Sequence, residues 1–358
     1  MPLTSLDISN LRNIEKTVLH CHSSLNVIVG ANGSGKTSLL EAIYLLGRGR
    51  SFRTSSHHSI IQNGQKEIFI VGKTTEQSAQ FIGIHISDGN LKAKANGQYL
   101  SKSSQLALIL PLLMISPDAD KLILGSPKQR RRFIDWGLFH VEQGYLTQWK
   151  RYNRALTQRN TLLRQGACEE IRHWDEQLIT YANNLTQARM EYCIALEEIF
   201  QAYLALLTSG LQLDLSYRPG WSTDETFAST LSQGLERDMK AGFTQKGPHR
   251  ADLYITTHNR KAASYLSGGQ QKLAACALIL AQAKLLNERL GNTGVLLVDD
   301  LPAELDLNHR QNFLALLREL GSQLFVTTTE ESLLPLDSFP NYSVFHVEHG
   351  QVSAIKKT

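Results

Sequence analysis

Cysteine is scarce: four residues in a chain of 358, Cys21, Cys168, Cys193 and Cys276, with no C-x-x-C pair among them. That scatter excludes a metal site built from paired cysteines, and reduced, buried thiols are expected. Long apolar runs are missing as well. The longest, Leu106 to Ile115, is too short for a bilayer span and contains Pro111. Met1 to Asp7 carries neither a basic flank nor an apolar signal core, so the expectation is a cytoplasmic protein with no membrane association. Charge of one sign is also lacking. Lys and Arg number 37 against 33 for Asp and Glu, a net charge of +4, so any basic surface that meets nucleic acid must be local. No internal repeat or low-complexity tract appears. What is present is an ordinary globular composition, 42% hydrophobic over 358 residues, enough for a sizeable core and more than one lobe.

The most informative stretch is Gly30-Ala31-Asn32-Gly33-Ser34-Gly35-Lys36-Thr37, which fits G-x-x-x-x-G-K-[ST]. A β-branched apolar run, Leu25 to Val29, precedes it, and Ser38 to Leu46 follows with apolar residues at helical spacing. Strand, glycine loop and helix in that order make a phosphate cradle. Its glycines turn backbone N–H groups inward, and the helix aims its positive dipole end at the same point. Lys36 is expected to reach the β- and γ-phosphates of a polyphosphate, and Thr37 to help hold Mg²⁺.

Alternation in Leu3 to Ile8 and Glu15 to His20 predicts two strands ahead of this loop. After it, Gly47-Arg48-Gly49-Arg50-Ser51-Phe52-Arg53-Thr54 reads either as an anion-facing loop or as a solvated one. Between Ile68 and Leu100, Asp88-Gly89 and Asn96-Gly97 punctuate short alternating runs, which predicts an antiparallel sheet of hairpins. The densest positive charge lies at Lys128, Arg130, Arg131 and Arg132. From Tyr145 to Arg164 the pattern is an amphipathic helix, with Trp149, Tyr152, Leu156 and Leu163 inward and Lys150, Arg151, Arg154, Arg159 and Arg164 elsewhere. Ile171, Trp174, Leu178, Tyr181 and their successors to Ile199 recur at alternating three and four residues, so two antiparallel helices are expected over about 142 to 207. Strand signals return at Leu211 to Tyr217 and again after Gly247-Pro248-His249.

Val295-Leu296-Leu297-Val298-Asp299-Asp300 is an apolar strand ending in two carboxylates. A dry strand of that kind delivers a hard oxygen ligand beside a metal, the role expected of Asp299, while Asp300 is placed to orient or deprotonate an attacking water. Upstream, Leu266-Ser267-Gly268-Gly269-Gln270 opens a long helical pattern with Ser267 as N-cap, a second place for an anion. A chain that already has one phosphate cradle uses the second best on the nucleotide of a neighbouring copy.

The order of phosphate loop, Leu-Ser-Gly-Gly-Gln, Asp-Asp and then Ala303-Glu304-Leu305-Asp306 resembles the ATP-binding-cassette ATPases, with the last four residues in the D-loop position. Over nearly its whole length the chain resembles the RecF recombination-mediator family, through Leu11-Arg12-Asn13, Gly30 to Thr37, Gly49 to Arg53, Pro117-Asp118, Arg131 to Trp136, Gly247 to His249 and the ATPase motifs. The resemblance implies an α/β ATPase head with a mixed sheet and an antiparallel β-subdomain: residues 1–105 and 241–358 would form it, and 106–240 an inserted helical lobe. It implies ATP and Mg²⁺ as ligands, with Arg12, Asn13, Gly30 to Ser38, Ser267 to Gln270 and Asp306 around the nucleotide, and Lys36 and Asp300 in catalysis. It further implies an ATP-dependent homodimer with slow hydrolysis, binding duplex DNA and single-strand/double-strand junctions and acting with RecR and RecO to place RecA on gaps. Lys128, Arg130, Arg131, Arg132, Lys150, Arg151 and Arg154 are the candidate DNA contacts. Gly268 and Ala303 depart from the family pattern, which often has a bulkier residue and a serine there. Val326-Thr327-Thr328-Thr329 stands where transporter ATPases carry a switch histidine, so a threonine hydroxyl becomes the candidate γ-phosphate sensor. Two other readings share the motifs. A transporter ATPase subunit is opposed by the missing histidine and the long helical insertion, and a structural chromosome-organising ATPase by the short helical arm.

Overall fold

The computed structural model describes residues 2–75, 80–166, 168–291, 294–300 and 306–355. Two compact units emerge, one made of 1–119, 206–208 and 286–358, the other of 120–205 and 209–285. Along the chain the elements are β1 (Leu3–Leu11), β2 (Ile14–His20), β3 (Leu25–Val29), α1 (Lys36–Arg48), β4 (Glu67–Thr74), β5 (Gln80–Ser87), β6 (Asn90–Ala95), β7 (Gln98–Tyr99), α2 (Ser104–Ile109) and β8 (Leu112–Ile115). Next come α3 (Lys121–Leu124), α4 (Pro127–Val141), α5 (Tyr145–Gln165), α6 (Cys168–Leu207), β9 (Asp214–Arg218), α7 (Phe227–Ala241), β10 (Asp252–Thr257), β11 (Arg260–Lys261), α8 (Ala262–Tyr265) and α9 (Gly268–Leu290). The remainder is β12 (Val295–Val298), α10 (Leu307–Leu320), β13 (Gln323–Thr328), β14 (Tyr342–Glu348) and β15 (Gln351–Ile355).

In the first unit, β2-β1-β4-β5-β6-β7 make an antiparallel sheet whose hairpins turn at the expected Asp88-Gly89 and Asn96-Gly97. A second sheet has the order β15-β14-β3-β13-β12-β8, parallel except for β15. Its central strands are apolar throughout because both faces are covered: every residue of β12 and β13 is buried. Helix α1 contributes Leu39, Leu40, Ile43, Leu45 and Leu46 to one core shared with the inner faces of both sheets. Parallel strands point their carboxyl ends the same way, so β3 and β12 deliver their following residues to one edge.

In the second unit the expected helical pair is α5 and α6. Contacts run in opposite directions along them, Tyr145 with Arg189, Arg151 with Tyr181 and Arg159 with Asp175, as an antiparallel hairpin requires. The assignment of faces on α5 needs correction. Trp149, expected inward, is 37% exposed, whereas Arg159, expected off the inward stripe, is fully buried. Arg159 donates to Asp175 at 2.6 Å, Asp238 at 2.7 Å and the Thr244 hydroxyl at 2.7 Å, partners supplied by α6, by α7 and by the segment after α7, which helical periodicity within α5 cannot reveal. Nearby, His249 sits between two oxygens. The Thr244 carbonyl can only accept, so Nε2 carries the proton at 2.9 Å, and Nδ1 accepts from the Tyr152 hydroxyl at 2.7 Å.

Two outcomes follow from this buried network. Arg159→Met leaves the Asp238 carboxylate without its cation and should destabilise this unit by about 3–5 kcal/mol, read as a lower urea midpoint. Burial drops the His249 pKa to about 4, against the pull of its bond to the Thr244 carbonyl. The unfolded chain takes up that proton near pH 6.5 and the folded one does not, so stability is complete above pH 6.5 and declines as pH falls toward about 4. Urea midpoints between pH 7.5 and 5 should show a slope that His249→Asn removes.

Candidate functional site

The phosphate loop sits where β3 hands over to α1. Gly35 precedes the helix with φ of +123°, and a side chain there would also press to 3.0 Å of the Asn13 amide. Asn13, in the β1–β2 turn, donates to the Ser34 carbonyl at 2.8 Å and accepts from the Ser38 hydroxyl at 3.3 Å, so it pins the loop to the helix start. Gly350, in the β14–β15 turn, gives its N–H to the same Ser34 carbonyl at 2.8 Å. Its own Cβ would lie 1.9 Å from the Asn13 carbonyl, so only glycine permits the approach. Lys36 folds back on its loop, Nζ donating to the Gly30 carbonyl at 2.7 Å and the Ala31 carbonyl at 3.0 Å. Burial lowers its pKa, while Asp300 and Asp299 pull it back up.

From β12 the chain delivers Asp299 and Asp300 to the same edge. The Thr37 hydroxyl donates to the Asp299 carboxylate, 3.1 and 3.2 Å from its two oxygens, and the Thr327 hydroxyl donates to Oδ1 at 2.8 Å. Burial raises the Asp299 pKa, and the bonds from Thr327 and Thr37 oppose it. Thr327 also accepts the Asp300 N–H at 2.7 Å, holding Asp300 in a left-handed conformation with φ of +55°. Thr328 instead turns to the Glu330 carbonyl at 2.8 Å.

Asn13, Lys36, Thr37, Ser38, Asp299 and Asp300 line a cleft of about 520 Å³ together with Arg12, Asn32, Gly33, Gly35, Arg53, Ser59 and Ile61. Its rim is organised by Glu41, a carboxylate with 0% exposure on α1. Arg12 grips it with two bonds of 2.9 Å, the Ser51 hydroxyl donates to it, and the Arg53 guanidinium lies 3.9 Å away. The arginine-bearing loop thus faces the anion cleft at Arg53.

The residues present fit a nucleoside polyphosphate with Mg²⁺. Among the described residues, Ser34 Oγ is buried without a hydrogen-bond partner, Lys36 spends its charge on carbonyls, and Thr37 and Asp299 set two hard oxygens side by side. Of the expected nucleotide contacts, Arg12, Asn13 and Gly30 to Ser38 come together here, beside Asp299, the expected metal ligand, and Asp300, the expected catalytic carboxylate. Ser267, Gly268, Gly269 and Gln270 lie in the other unit, all exposed, at the start of α9. Ser267 Oγ accepts the Gln270 N–H at 3.4 Å and Gln270 Oε1 accepts the Ser267 N–H at 3.0 Å, a reciprocal cap. Asp306 caps α10 through His309 and is exposed, while Ala303, Glu304 and Leu305 lie outside the described residues. Among the DNA candidates, Arg130 is engaged by Asp252 at 2.8 and 2.9 Å, and Arg131 donates to the Ala251 carbonyl at 2.6 Å. Lys128, Arg132, Lys150, Arg151 and Arg154 are exposed. Glu41 and the linking role of Thr327 escape sequence reasoning, although an acid inside Leu39-Leu40-Glu41-Ala42-Ile43 signals a buried charge that must be paired.

The family model of the RecF/RecN/SMC N-terminal domain matches residues 2–353. A Pseudomonas aeruginosa (strain LESB58) protein, DNA replication and repair protein RecF, is 41% identical over 99% of this chain and 98% of its own. A solved structure of the recombination mediator protein RecF with ATP in the RecFOR pathway superposes with a TM-score of 0.86 at 27% identity, covering 99% of this chain and 98% of that one. An Smc head bound to the C-terminal winged-helix domain of ScpA shares the fold, with a TM-score of 0.64 at 18% identity and coverage of 99% and 97%.

Thr327→Val removes one hydroxyl that serves both acidic residues. It should leave the Asp300 N–H and one Asp299 oxygen a partner short and destabilise by about 1–3 kcal/mol, measured by denaturant titration without nucleotide.

Proposed function

The chain belongs to the RecF family of DNA replication and repair proteins within the RecF/RecN/SMC N-terminal domain family, and on that premise we propose that it is an ATP-dependent DNA-repair ATPase. The observation that carries the reading is the meeting of Thr37 with Asp299 beside Lys36, which puts a phosphate cradle and a hard-oxygen pair in one cleft. Lys36 leaves its carbonyls to neutralise the β- and γ-phosphates, and loop N–H groups take the remaining oxygens. Thr37 and Asp299 would hold Mg²⁺, which when bound neutralises charge on the phosphates. Asp300, fixed through its N–H by Thr327, holds the attacking water and takes its proton.

Ser267 to Gln270, exposed on α9, completes the nucleotide site of a second copy, so ATP drives homodimerisation. The dimer clamps duplex DNA near single-strand/double-strand junctions through exposed cations such as Lys128, Arg132, Lys150, Arg151 and Arg154, and acts with RecR and RecO toward RecA loading. Hydrolysis is slow, is stimulated by DNA and resets the clamp.

Three variants test this division of labour by ATP affinity, solution mass and duplex binding. Lys36→Ala should abolish ATP binding and the dimer together. Asp300→Asn should keep ATP, cut hydrolysis by about 10²–10⁴-fold and trap a DNA-bound dimer. Ser267→Arg should leave ATP on monomers. An ATP-saturated Asp300→Asn protein that stays monomeric would sink the shared-site reading.

A further inference from the structure

The second unit contains a cleft of about 610 Å³ that has no part in the nucleotide site. Strands β9 and β10 pair with Arg218 opposite Asp252, which places Tyr254 diagonally from Arg218 on the outward face of the sheet. The Arg218 guanidinium lies 3.6 Å from the Tyr254 ring centroid, and Lys261 on β11 approaches the same ring at 5.9 Å. Across the cleft, the Phe243 ring is 40% exposed with Arg250 5.6 Å from its centroid. Trp221 packs against Phe227 at 4.7 Å between centroids and presents its remaining surface to the cleft.

Charge and aromatic faces are therefore interleaved. Arg218, Lys246 and Arg250 have no carboxylate partner among the described residues, and Asp252, the one acid in the lining, is held in two bonds by Arg130. The cleft is net positive, and an anion should fill it. Cations alone would suit any acidic partner, but the half-exposed phenyl ring, the indole surface and the flat guanidinium stacked on Tyr254 supply planar apolar area that an acidic peptide leaves unused. Unpaired bases stack on aromatic rings and on guanidinium planes, whereas bases in a duplex already cover each other's faces. A volume of about 610 Å³ lies within the usual range for small-ligand pockets, suited to a short run of nucleotides. From these features we propose that this cleft binds single-stranded DNA, with bases on the Tyr254–Arg218 stack and on Phe243 and Trp221, and phosphates on Lys246 and Arg250. The inference rests on the DNA-repair reading and adds to it a second surface, specific for the unpaired strand beside a junction.

The test uses the full chain with fluorescein-labelled octathymidylate, an abasic strand of equal length and charge, polyglutamate as competitor and an ATP-dependent duplex assay alongside. Octathymidylate should bind about tenfold or more tighter than the abasic strand. Phe243→Ala and Tyr254→Leu should each shrink that preference, and Lys246→Glu with Arg250→Glu should weaken both strands and reduce the salt slope by about 0.7 per lost phosphate contact. Phe243 lies outside the sheet, so its variant keeps the test valid where Tyr254→Leu disturbs β10; unfolding midpoints report this. Equal affinity for the two strands, a preference untouched by Phe243→Ala, or displacement by polyglutamate as strong as by unlabelled octathymidylate would overturn the proposal. Duplex binding retained while octathymidylate fails would remove only this cleft, and failure of both DNAs would remove the repair reading with it.

Discussion

The hydroxyl of Thr37 meets the carboxylate of Asp299 across 262 residues of sequence, and the architecture of the first unit serves that contact. Two strands from opposite ends of the chain must lie parallel in one sheet, separated only by β13, for their carboxyl ends to arrive at the same edge. β13 contributes more than spacing. Its Thr327 holds both acidic residues, so the strand between loop and carboxylates also sets their orientation. Burial makes the arrangement costly without a cation, as the raised pKa of Asp299 shows. The Thr37 hydroxyl and the Asp299 carboxylate, held side by side, are the hard-oxygen pair to which the proposed function assigns a divalent ion.

What was legible in the sequence was local. The phosphate loop, the strand before it and the helix after it are contiguous, so Gly30 to Thr37 identify themselves, and Val295 to Asp300 do the same for the acidic strand end. The hairpin sheet followed from Asp88-Gly89 and Asn96-Gly97, whose positive-φ backbones match the turn chemistry. What was not legible depended on partners far along the chain. Periodicity within α5 puts Arg159 off the inward stripe and Trp149 on it, but Asp175 and Asp238, distant in sequence, draw Arg159 inside while Trp149 is left 37% exposed. Glu41 is the same case in the first unit: its pairing with Arg12, 29 residues away, is a fact of tertiary structure.

Buried charge is used differently in the two units. Around Glu41 it positions arginines at the mouth of a ligand cleft, where the charge remains available. In the helical hairpin, Arg159 and Arg189 are spent wholly inside the unit, Arg189 on Asp135 at 2.8 and 3.0 Å and on the Pro248 carbonyl at 2.8 Å. Such interior pairs are weak sources of net stability, but breaking one is expensive, and the Arg159–Asp175 pair, which joins α5 to α6, fixes a register that apolar packing alone would let slide.

The anchoring of Ser34 by Gly350 bears on how the protein is made. A nascent chain that has emerged through β12 already carries Lys36, Thr37, Asp299 and Asp300, yet it lacks the β14–β15 turn that braces the loop against Asn13. The chemical groups for nucleotide capture thus precede their scaffold by about fifty residues of synthesis. A partly translated chain has the polar groups of the site without the brace that holds the loop, which forms only once β14 and β15 have joined the sheet.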